Sequence, residues 1–303
     1  MKAWKLVTVA LLPFVLMACG GGNAAEGERP RVVATFSILG DLTREVAGDD
    51  VDLTVLTPIG AEVHEWELSP NNFMALERAD LVLYNGYQLE QWMGQVAATV
   101  AEGVPMVPVA ERSGHDTLPI VTGDYEGDPD PHLWMDPRAA AGYARAIGRA
   151  LGEVHPERAD AFEERAEDLA GRLLDLHTEL TEALSAVPEE RRLLITSEAA
   201  FVYFADAYGF VHDGVWGTNA ETEGSPRQIM RIVDLVRQKN PGAVFWESTI
   251  SDRHVRSVAE DTGVDVAGPL YVDSLGGAGS GAEDYFSLMR HNVRLIKESL
   301  SEL

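Results

Sequence analysis

This chain of 303 residues has almost no thiols, and its basic side chains are far outnumbered by acidic ones. It contains one cysteine, Cys19, which excludes an internal disulfide and any zinc site built from several thiolates. Lysine and arginine together number 24 against 49 acidic residues, and the net charge is −25. Because nucleic-acid-binding proteins need a basic surface for the phosphates, this balance argues against nucleic acid as a partner. It suits a soluble domain in an ionic medium, or a protein whose long-range field attracts cations.

Short catalytic and nucleotide-binding motifs are also absent. The sequence has no HExxH, no GxSxG, no P-loop and no GxGxxG. We therefore expect that the chain is not an enzyme. The alternative, a metallohydrolase, requires a metal site that keeps one coordination position open for water.

The N-terminus has the pattern of an export signal. Lys2 and Lys5 precede an apolar segment at residues 6–17. This segment is too short to span a bilayer as a stable helix. The following letters, LMAC and then GGG, resemble the lipobox of bacterial lipoproteins, in which the cysteine after the cleavage point carries a lipid. This resemblance implies a signal peptide at residues 1–18, a lipid on Cys19 and a flexible tether over residues 19–29. An ordinary signal peptide with an incidental cysteine is the alternative.

Beyond the tether, short apolar runs alternate with helical patterns. The strand-like runs lie at residues 31–38, 51–58, 80–86, 104–109, 192–198, 210–217, 242–249 and 264–273. The helical patterns between them lie at residues 39–47, 69–79, 89–101, 225–240 and 283–301. Ser69 and Ser225 each precede a proline, as N-cap residues often do. The alternation predicts an α/β fold with two lobes, residues 30–154 and 188–303, each a mostly parallel β-sheet flanked by helices.

One long amphipathic helix is predicted between the lobes, over residues 155–187. Its apolar residues recur at steps of three and four, without a proline after Pro156, at Phe162, Ala166, Leu169, Leu173, Leu176, Leu180, Leu184 and Val187. A helix of this length measures about 48 Å at ~1.5 Å per residue. Packed along both lobes, such a rigid helix would limit hinge motion between them. A dimeric coiled coil is the alternative interpretation of the same pattern.

Four side chains of metal-ligating types stand where strands end or helices begin. His64 follows the second predicted strand, and His132 lies in the proline-flanked stretch DPDPHLWMDP, before a predicted helix. Glu198 and Asp273 each end a strand of the second half. Because ligands of open α/β sheets bind beyond the carboxyl ends of the strands, these residues could meet in the cleft between the lobes.

These residues and the sequences around them resemble the metal-binding substrate-binding lipoproteins of bacterial ABC importers, the manganese and zinc binders of the cluster A-I solute-binding proteins. The resemblance covers nearly the whole chain and includes HEWELSP, DPHLWMDP, TSEAAFVYFADAYG, ETEGSPRQI and YVDSLG. It implies that the metal ligands are His64, His132, Glu198 and Asp273. It also implies a monomer outside the cytoplasm, anchored to the membrane by its N-terminal lipid, that delivers a divalent metal to an ABC permease and its ATPase.

The third ligand position bears on the choice of metal. Zinc-type members of this family usually have a histidine there, and often a histidine-rich loop before the second ligand, whereas manganese- or iron-type members have a glutamate. This chain has Glu198 at that position, and His115 is the one histidine of residues 111–131. Two imidazoles and two carboxylates suit Mn²⁺, so we expect Mn²⁺ or Fe²⁺. A zinc-specific protein is the main alternative, because intrinsic affinities favour Zn²⁺ over Mn²⁺. A surface adhesin, a role for which some relatives were first named, has no direct support in the sequence.

Residues around the four ligands give weaker signals. Candidate partners for the second nitrogen of a ligating imidazole are Glu62, Glu65, Asp136 and Glu247. Three tryptophans could exclude water from the site, although core packing is favoured for at least two of them: Trp66, Trp134 and Trp216. His212 is the best substitute ligand should Glu198 lie elsewhere.

Overall fold

A computed structural model describes residue 1 and residues 29–218 and 224–301 of the chain. The predicted signal peptide, Cys19 and most of the predicted tether therefore fall outside the described residues. Within the described part, no helix combines the length and apolarity that a membrane crossing requires.

The first half is built on one parallel sheet. Its strands are β1 (Arg31–Ala34), β2 (Asp52–Val55), β3 (Leu81–Tyr84) and β4 (Met106–Pro108). They are ordered β2-β1-β3-β4, and all three neighbouring pairs are parallel. The accompanying helices are α1 (Ser37–Ala47), α2 (Pro70–Leu76), α3 (Met93–Thr99) and α4 (Pro137–Val154).

Two elements of this half differ most from the sequence prediction. The strand predicted over residues 31–38 ends at Ala34, because α1 already begins at Ser37. A Cβ on Gly40 would lie 2.4 Å from a methyl carbon of Val55, so α1 packs against the end of β2 at a distance that glycine allows. The helix predicted over residues 89–101 begins at Met93, since Leu89–Trp92 form part of a loop beside the site.

The second half contains two parallel strand pairs. Its strands are β5 (Leu193–Glu198), β6 (Val211–Trp216), β7 (Ala243–Glu247) and β8 (Asp265–Leu270). β5 pairs with β6, β7 pairs with β8, and β5 lies alongside β7. The helices are α6 (Val202–Tyr208), α7 (Pro226–Lys239), α8 (Arg253–Thr262) and α9 (Tyr285–Ser301). The predicted N-caps Ser69 and Ser225 both form capping boxes, closed by Asn72 and Gln228.

The long helix α5 covers Ala159–Leu184, 26 residues, and is shorter than the predicted segment 155–187 at both ends. Pro156–Arg158 form a separate 3-10 turn, because His155 precedes a proline and leaves helical geometry. Seven of the eight predicted apolar positions are buried on the helix, and Val187 is buried just beyond its end. Within the chain, α5 packs on α1, α4 and α9. The apolar stripe is thus covered by elements of both halves of the same chain, and the coiled-coil alternative is not needed to explain it.

Candidate metal centre

The structure brings the four predicted ligands together. His64 comes from the loop after β2, His132 from the turn before α4, Glu198 from the end of β5 and Asp273 from the segment after β8. One donor atom from each lies within 4.8 Å of the other three, and every one of these residues is at most 1% exposed. We call these four side chains the ligand cluster.

The donor atoms of the ligand cluster are spaced for binding to one shared cation rather than for hydrogen bonds to one another. His64 Nε2 lies 3.5 Å from Glu198 Oε1, and His132 Nε2 lies 3.5 Å from Asp273 Oδ1. The centroids of the two imidazole rings are 5.5 Å apart. Among the described residues, three buried cluster atoms have no hydrogen-bond partner: His64 Nε2, His132 Nε2 and Asp273 Oδ1. Buried polar atoms are costly unless they are bonded, and a divalent cation would satisfy all three.

The orientation of His132 is set by Asp130, a residue that the sequence reasoning missed. Asp130 Oδ1 accepts a hydrogen bond from the backbone N–H of His132 at 2.9 Å and lies 3.0 Å from its Nδ1. Since the carboxylate accepts, Nδ1 carries the hydrogen and Nε2 presents its lone pair to the cluster. The signal for this role was the acid two residues before His132 in the stretch DPDPH.

The candidate partners named from the sequence take other positions. Glu62 accepts from the backbone N–H groups of His64 and Glu65, both at 2.9 Å, and so shapes the loop that carries His64. Glu65 is itself exposed. Asp136 caps α4 and forms an ion pair with Arg138 at 2.8 Å. The side chain of Asp136 therefore serves the start of the helix, and Asp130 is the acid that holds the His132 ring.

Glu247 supports Glu198 from the neighbouring strand. Its carboxylate accepts from the backbone N–H groups of Ser197 and Glu198, both at 3.2 Å. Burial raises the pKa of Glu247 to about 8. Asp273 accepts from Thr249 Oγ1 at 3.4 Å, and Trp134 Nε1 donates to the carbonyl of Val272 at 2.9 Å. Trp134 thus ties the His132 turn of the first half to the segment that carries Asp273.

The two imidazoles of the ligand cluster have opposite charge preferences. Burial lowers the pKa of His64, even though the Asp273 charge opposes this effect. Burial also disfavours charge on His132, but Asp130 together with Asp273 and Glu198 outweighs it and holds the pKa of His132 well above its ordinary value. Burial acts to raise the pKa of Asp273, yet the neighbouring imidazoles of His132 and His64 lower it. The surrounding carboxylates therefore favour the protonated form of His132, and a cation bound at Nε2 would compete with that proton.

Comparison with known proteins places this geometry in a family. The family described as "Zinc-uptake complex component A periplasmic" matches residues 32–299. The chain belongs to this family. The manganese-binding lipoprotein MntA of Halalkalibacterium halodurans is 36% identical over 297 residues, which cover 97% of each protein. The iron-binding protein YfeA of Yersinia pestis is 37% identical over 272 residues, 90% of this chain and 86% of the relative.

Solved structures of similar proteins share the fold. The Mn-bound periplasmic metal-binding protein from Candidatus Liberibacter asiaticus has a TM-score of 0.81 at 29% identity, covering 90% of this chain and 100% of that one. The periplasmic zinc-binding protein TroA from Treponema pallidum has a TM-score of 0.84 at 28% identity, with the same coverage. The zinc-uptake component A fold thus extends over nearly all of the chain that the structure describes.

In this member of the zinc-uptake component A family, the other described histidines lie outside the ligand cluster. His212 was the predicted substitute for Glu198, but its Nε2 lies 2.9 Å from Thr196 Oγ1, and burial lowers its pKa to about 3. His115 Nε2 lies 3.7 Å from Asp136, and His177 stacks on Tyr208. His155, His254 and His291 lie near Glu157, Arg253 and Pro269, respectively. Glu198, and not His212, therefore lies in the ligand cluster.

Proposed function

We propose that this protein is the extracytoplasmic substrate-binding component of an ABC importer, which captures Mn²⁺ or the related Fe²⁺ and delivers it to a membrane permease. The observation that carries the proposal is the ligand cluster, in which four buried donors from both halves of the chain lie within 4.8 Å of one another. The names of similar proteins support it, since MntA is a manganese-binding lipoprotein and YfeA an iron-binding protein.

The preference for Mn²⁺ rests on the donor set. His64 and His132 supply two nitrogens, and Glu198 and Asp273 supply two carboxylates. Carboxylate oxygens suit Mn²⁺, and a carboxylate that binds through both oxygens raises the coordination number above four. The two negative charges also balance a divalent cation, so that the loaded site is neutral.

Zinc is the second candidate cargo. The structural neighbour TroA is a zinc-binding protein, and its fold is as similar to this chain as that of the Mn-bound neighbour. A site of nitrogen and oxygen donors binds Zn²⁺ more tightly than Mn²⁺ by intrinsic affinity. Selectivity for Mn²⁺ would then depend on geometry and on release to the permease.

A binding role is preferred over hydrolysis. A hydrolytic metal site has three protein ligands and an open position for water, with a general base beside it. The ligand cluster offers four buried protein donors instead. Relatives named as ABC transporter substrate-binding lipoproteins, such as PsaA of Streptococcus anginosus at 32% identity over 307 residues, point in the same direction.

We further propose how the chain is organised around this site. Residues 1–18 are a signal peptide, Cys19 carries a lipid, and residues 19–29 tether a monomer to the membrane surface. The lobes comprise residues 30–154 and 188–303, with residues 155–187 linking them. The relatives named as lipoproteins support this arrangement, and mass spectrometry of the N-terminus from a bacterial membrane fraction would test the lipid on Cys19.

Replacing His132 tests the proposed site. The His132→Ala variant should lose tight Mn²⁺ binding, seen as a flat or low-affinity isotherm in titration calorimetry, because one of four donors and its Asp130 support are removed. The matched control is His155→Ala, since His155 lies outside the cluster beside Glu157. Stoichiometric Mn²⁺ binding by folded His132→Ala protein would contradict the proposal.

A further inference from the structure

A buried amide at the end of β3 contacts the loop that presents His132. Asn85 is fully buried, and its Nδ2 donates to the carbonyl of Pro131 at 2.9 Å. Pro131 immediately precedes His132, so this bond fixes the backbone from which the imidazole extends. Tyr143 OH donates to Asn85 Oδ1 at 2.7 Å, which sets the orientation of the amide.

A buried carboxylate holds this amide in place. Glu90 is 3% exposed, and its carboxylate accepts from the Asn85 backbone N–H at 2.7 Å and from Thr35 Oγ1 at 2.6 Å. It also accepts from the Gly86 backbone N–H at 3.4 Å. These donors are uncharged. Burying a carboxylate against neutral donors is expensive, so its presence calls for an explanation beyond local stability.

The loop between Asn85 and Glu90 is strained, and it contacts the second histidine loop. Gly86, Tyr87 and Gln88 have φ angles of 94°, 49° and 60°, respectively. Two consecutive non-glycine residues in the left-handed region are costly, and such strain persists only where surrounding contacts impose it. The turn directs the Gln91 backbone N–H to the His64 carbonyl at 3.2 Å.

The next residue adds a second bond to the same loop. Trp92 Nε1 donates to the Val63 carbonyl at 2.8 Å, and Val63 immediately precedes His64. The contacts therefore run without interruption from Pro131 through Asn85 and Glu90 to His64. Neither Asn85 nor Glu90 belongs to the ligand cluster. Their hydrogen bonds connect instead the two loops that carry its imidazoles.

We propose that Asn85 and Glu90 are positioning residues that join the two histidine loops into one rigid unit and so set the spacing of the imidazoles for the metal. This inference rests on the proposed metal-binding function. Ligands held by supporting hydrogen bonds bind metal more tightly, because the ordering cost is met when the protein folds. A rigid pair also resists contraction toward the small tetrahedral site that Zn²⁺ prefers. Loosening the pair should therefore weaken Mn²⁺ binding more than Zn²⁺ binding.

The test compares variants of the buried network in the full-length mature protein. Asn85→Ala removes the bond to Pro131, and Tyr143→Phe removes only the hydroxyl that orients the amide. Glu90→Ala removes all the acceptors, whereas Glu90→Gln retains the oxygen that faces Asn85 and Thr35. The control is Thr43→Val, which deletes a buried hydroxyl bonded within α1 to the Leu39 carbonyl.

Mn²⁺ and Zn²⁺ affinities are measured by competition calorimetry, and folding by thermal denaturation in chelator. We expect Asn85→Ala and Glu90→Ala to lose about ten- to hundredfold in Mn²⁺ affinity, as supporting groups of metal sites do. Tyr143→Phe should lose less Mn²⁺ affinity than Asn85→Ala, and Glu90→Gln should retain much of the Mn²⁺ affinity that Glu90→Ala loses. In each variant the loss of Mn²⁺ affinity should exceed the loss of Zn²⁺ affinity. Thr43→Val should bind both metals as the native protein does.

Two outcomes would overturn the inference. One is native Mn²⁺ affinity in folded Asn85→Ala or, if that variant does not fold, in Tyr143→Phe. The other is an equal loss of affinity in Thr43→Val, which would show a general response to lost stability. If either result is found while His132→Ala abolishes binding, the positioning role is refuted and the proposed function still stands. Unchanged binding in His132→Ala refutes both.

Discussion

At the residue scale, we propose that the metal preference depends on Glu198. Its carboxylate lies 3.5 Å from His64 Nε2 and 3.8 Å from His132 Nε2, so it contacts both nitrogen donors. Its backbone is held by Glu247, and its side chain is fully buried. A hard oxygen donor between two imidazoles makes the site harder than one with three nitrogens.

Exchanging this oxygen donor for nitrogen should change the preferred metal. We expect Glu198→His to shift the ratio of Mn²⁺ to Zn²⁺ affinity toward zinc by about tenfold or more, since a third imidazole favours zinc coordination. Competition titration with both metals measures this ratio. Glu182→His, at an exposed position of α5, is the control. An unchanged ratio in Glu198→His would show that the third ligand does not set the preference.

At the element scale, the close packing of α4 on α5 holds this long helix against the first half. A Cβ on Gly148 of α4 would lie 2.8 Å from the Cβ of Ala166 and 3.2 Å from the Phe162 carbonyl oxygen. The backbones of α4 and α5 therefore approach each other at Gly148 more closely than a larger residue would allow. Gly171 of α5, in contrast, has open space where a Cβ would be placed.

These two helical glycines should respond in opposite ways to the same substitution. Gly171→Ala should stabilise the protein by about 0.4–1 kcal/mol, because alanine restricts the unfolded chain at no cost in the helix. Gly148→Ala should destabilise it by about 1–3 kcal/mol through overpacking against α5. Chemical denaturation of the metal-free variants measures both changes. Equal effects of the two substitutions would contradict the close approach at Gly148.

At the scale of the whole molecule, the two halves are joined by hydrogen bonds beside the ligand cluster. Tyr285 of α9 donates its backbone N–H to Asp41 at 2.9 Å and its hydroxyl to the Trp134 carbonyl at 2.6 Å. Leu275 N–H donates to Ser37 Oγ at 2.9 Å. The main hydrophobic core also contains residues of both halves and of α5. A buried ionisable group in this shared core therefore affects the stability of the entire fold.

Glu247 gives the metal-free protein a distinct pH dependence. Burial raises its pKa from 4.5 to about 8. Below pH 4.5 the carboxyl is protonated in both states, whereas between pH 4.5 and 8 the unfolded chain loses the proton more readily. This group therefore lowers stability as pH rises through that window. Native protein in chelator should lose more stability from pH 5 to pH 8 than Glu247→Gln, by on the order of a few kcal/mol.

Thermal denaturation across that pH range measures the difference. Other shifted groups, such as His212 with a pKa of about 3, are common to both proteins, so their contributions cancel in the comparison. Parallel stability curves for the native protein and Glu247→Gln would show that Glu247 is ionised in the fold at ordinary pH.

The amino-acid sequence by itself determined the α/β alternation, the capped helix starts at Ser69 and Ser225, and the chemical types of the four candidate ligands. These features depend on local periodicity, on turn chemistry and on motifs that recur in one stretch of chain. The apolar stripe of the long helix was equally local, although the helix was predicted to begin four residues before Ala159 and to end three residues after Leu184.

Only the tertiary structure decided which acids support the site. Asp130 rather than Asp136 holds His132, because the former lies in the turn beside the ring while the latter caps α4. Asn85 and Glu90 carried no signal, and the loop at residues 89–92 was predicted as helix. Their roles arise from contacts between segments that are far apart in the chain, such as Asn85 with Pro131, and residue spacing within one segment contains no information about such contacts.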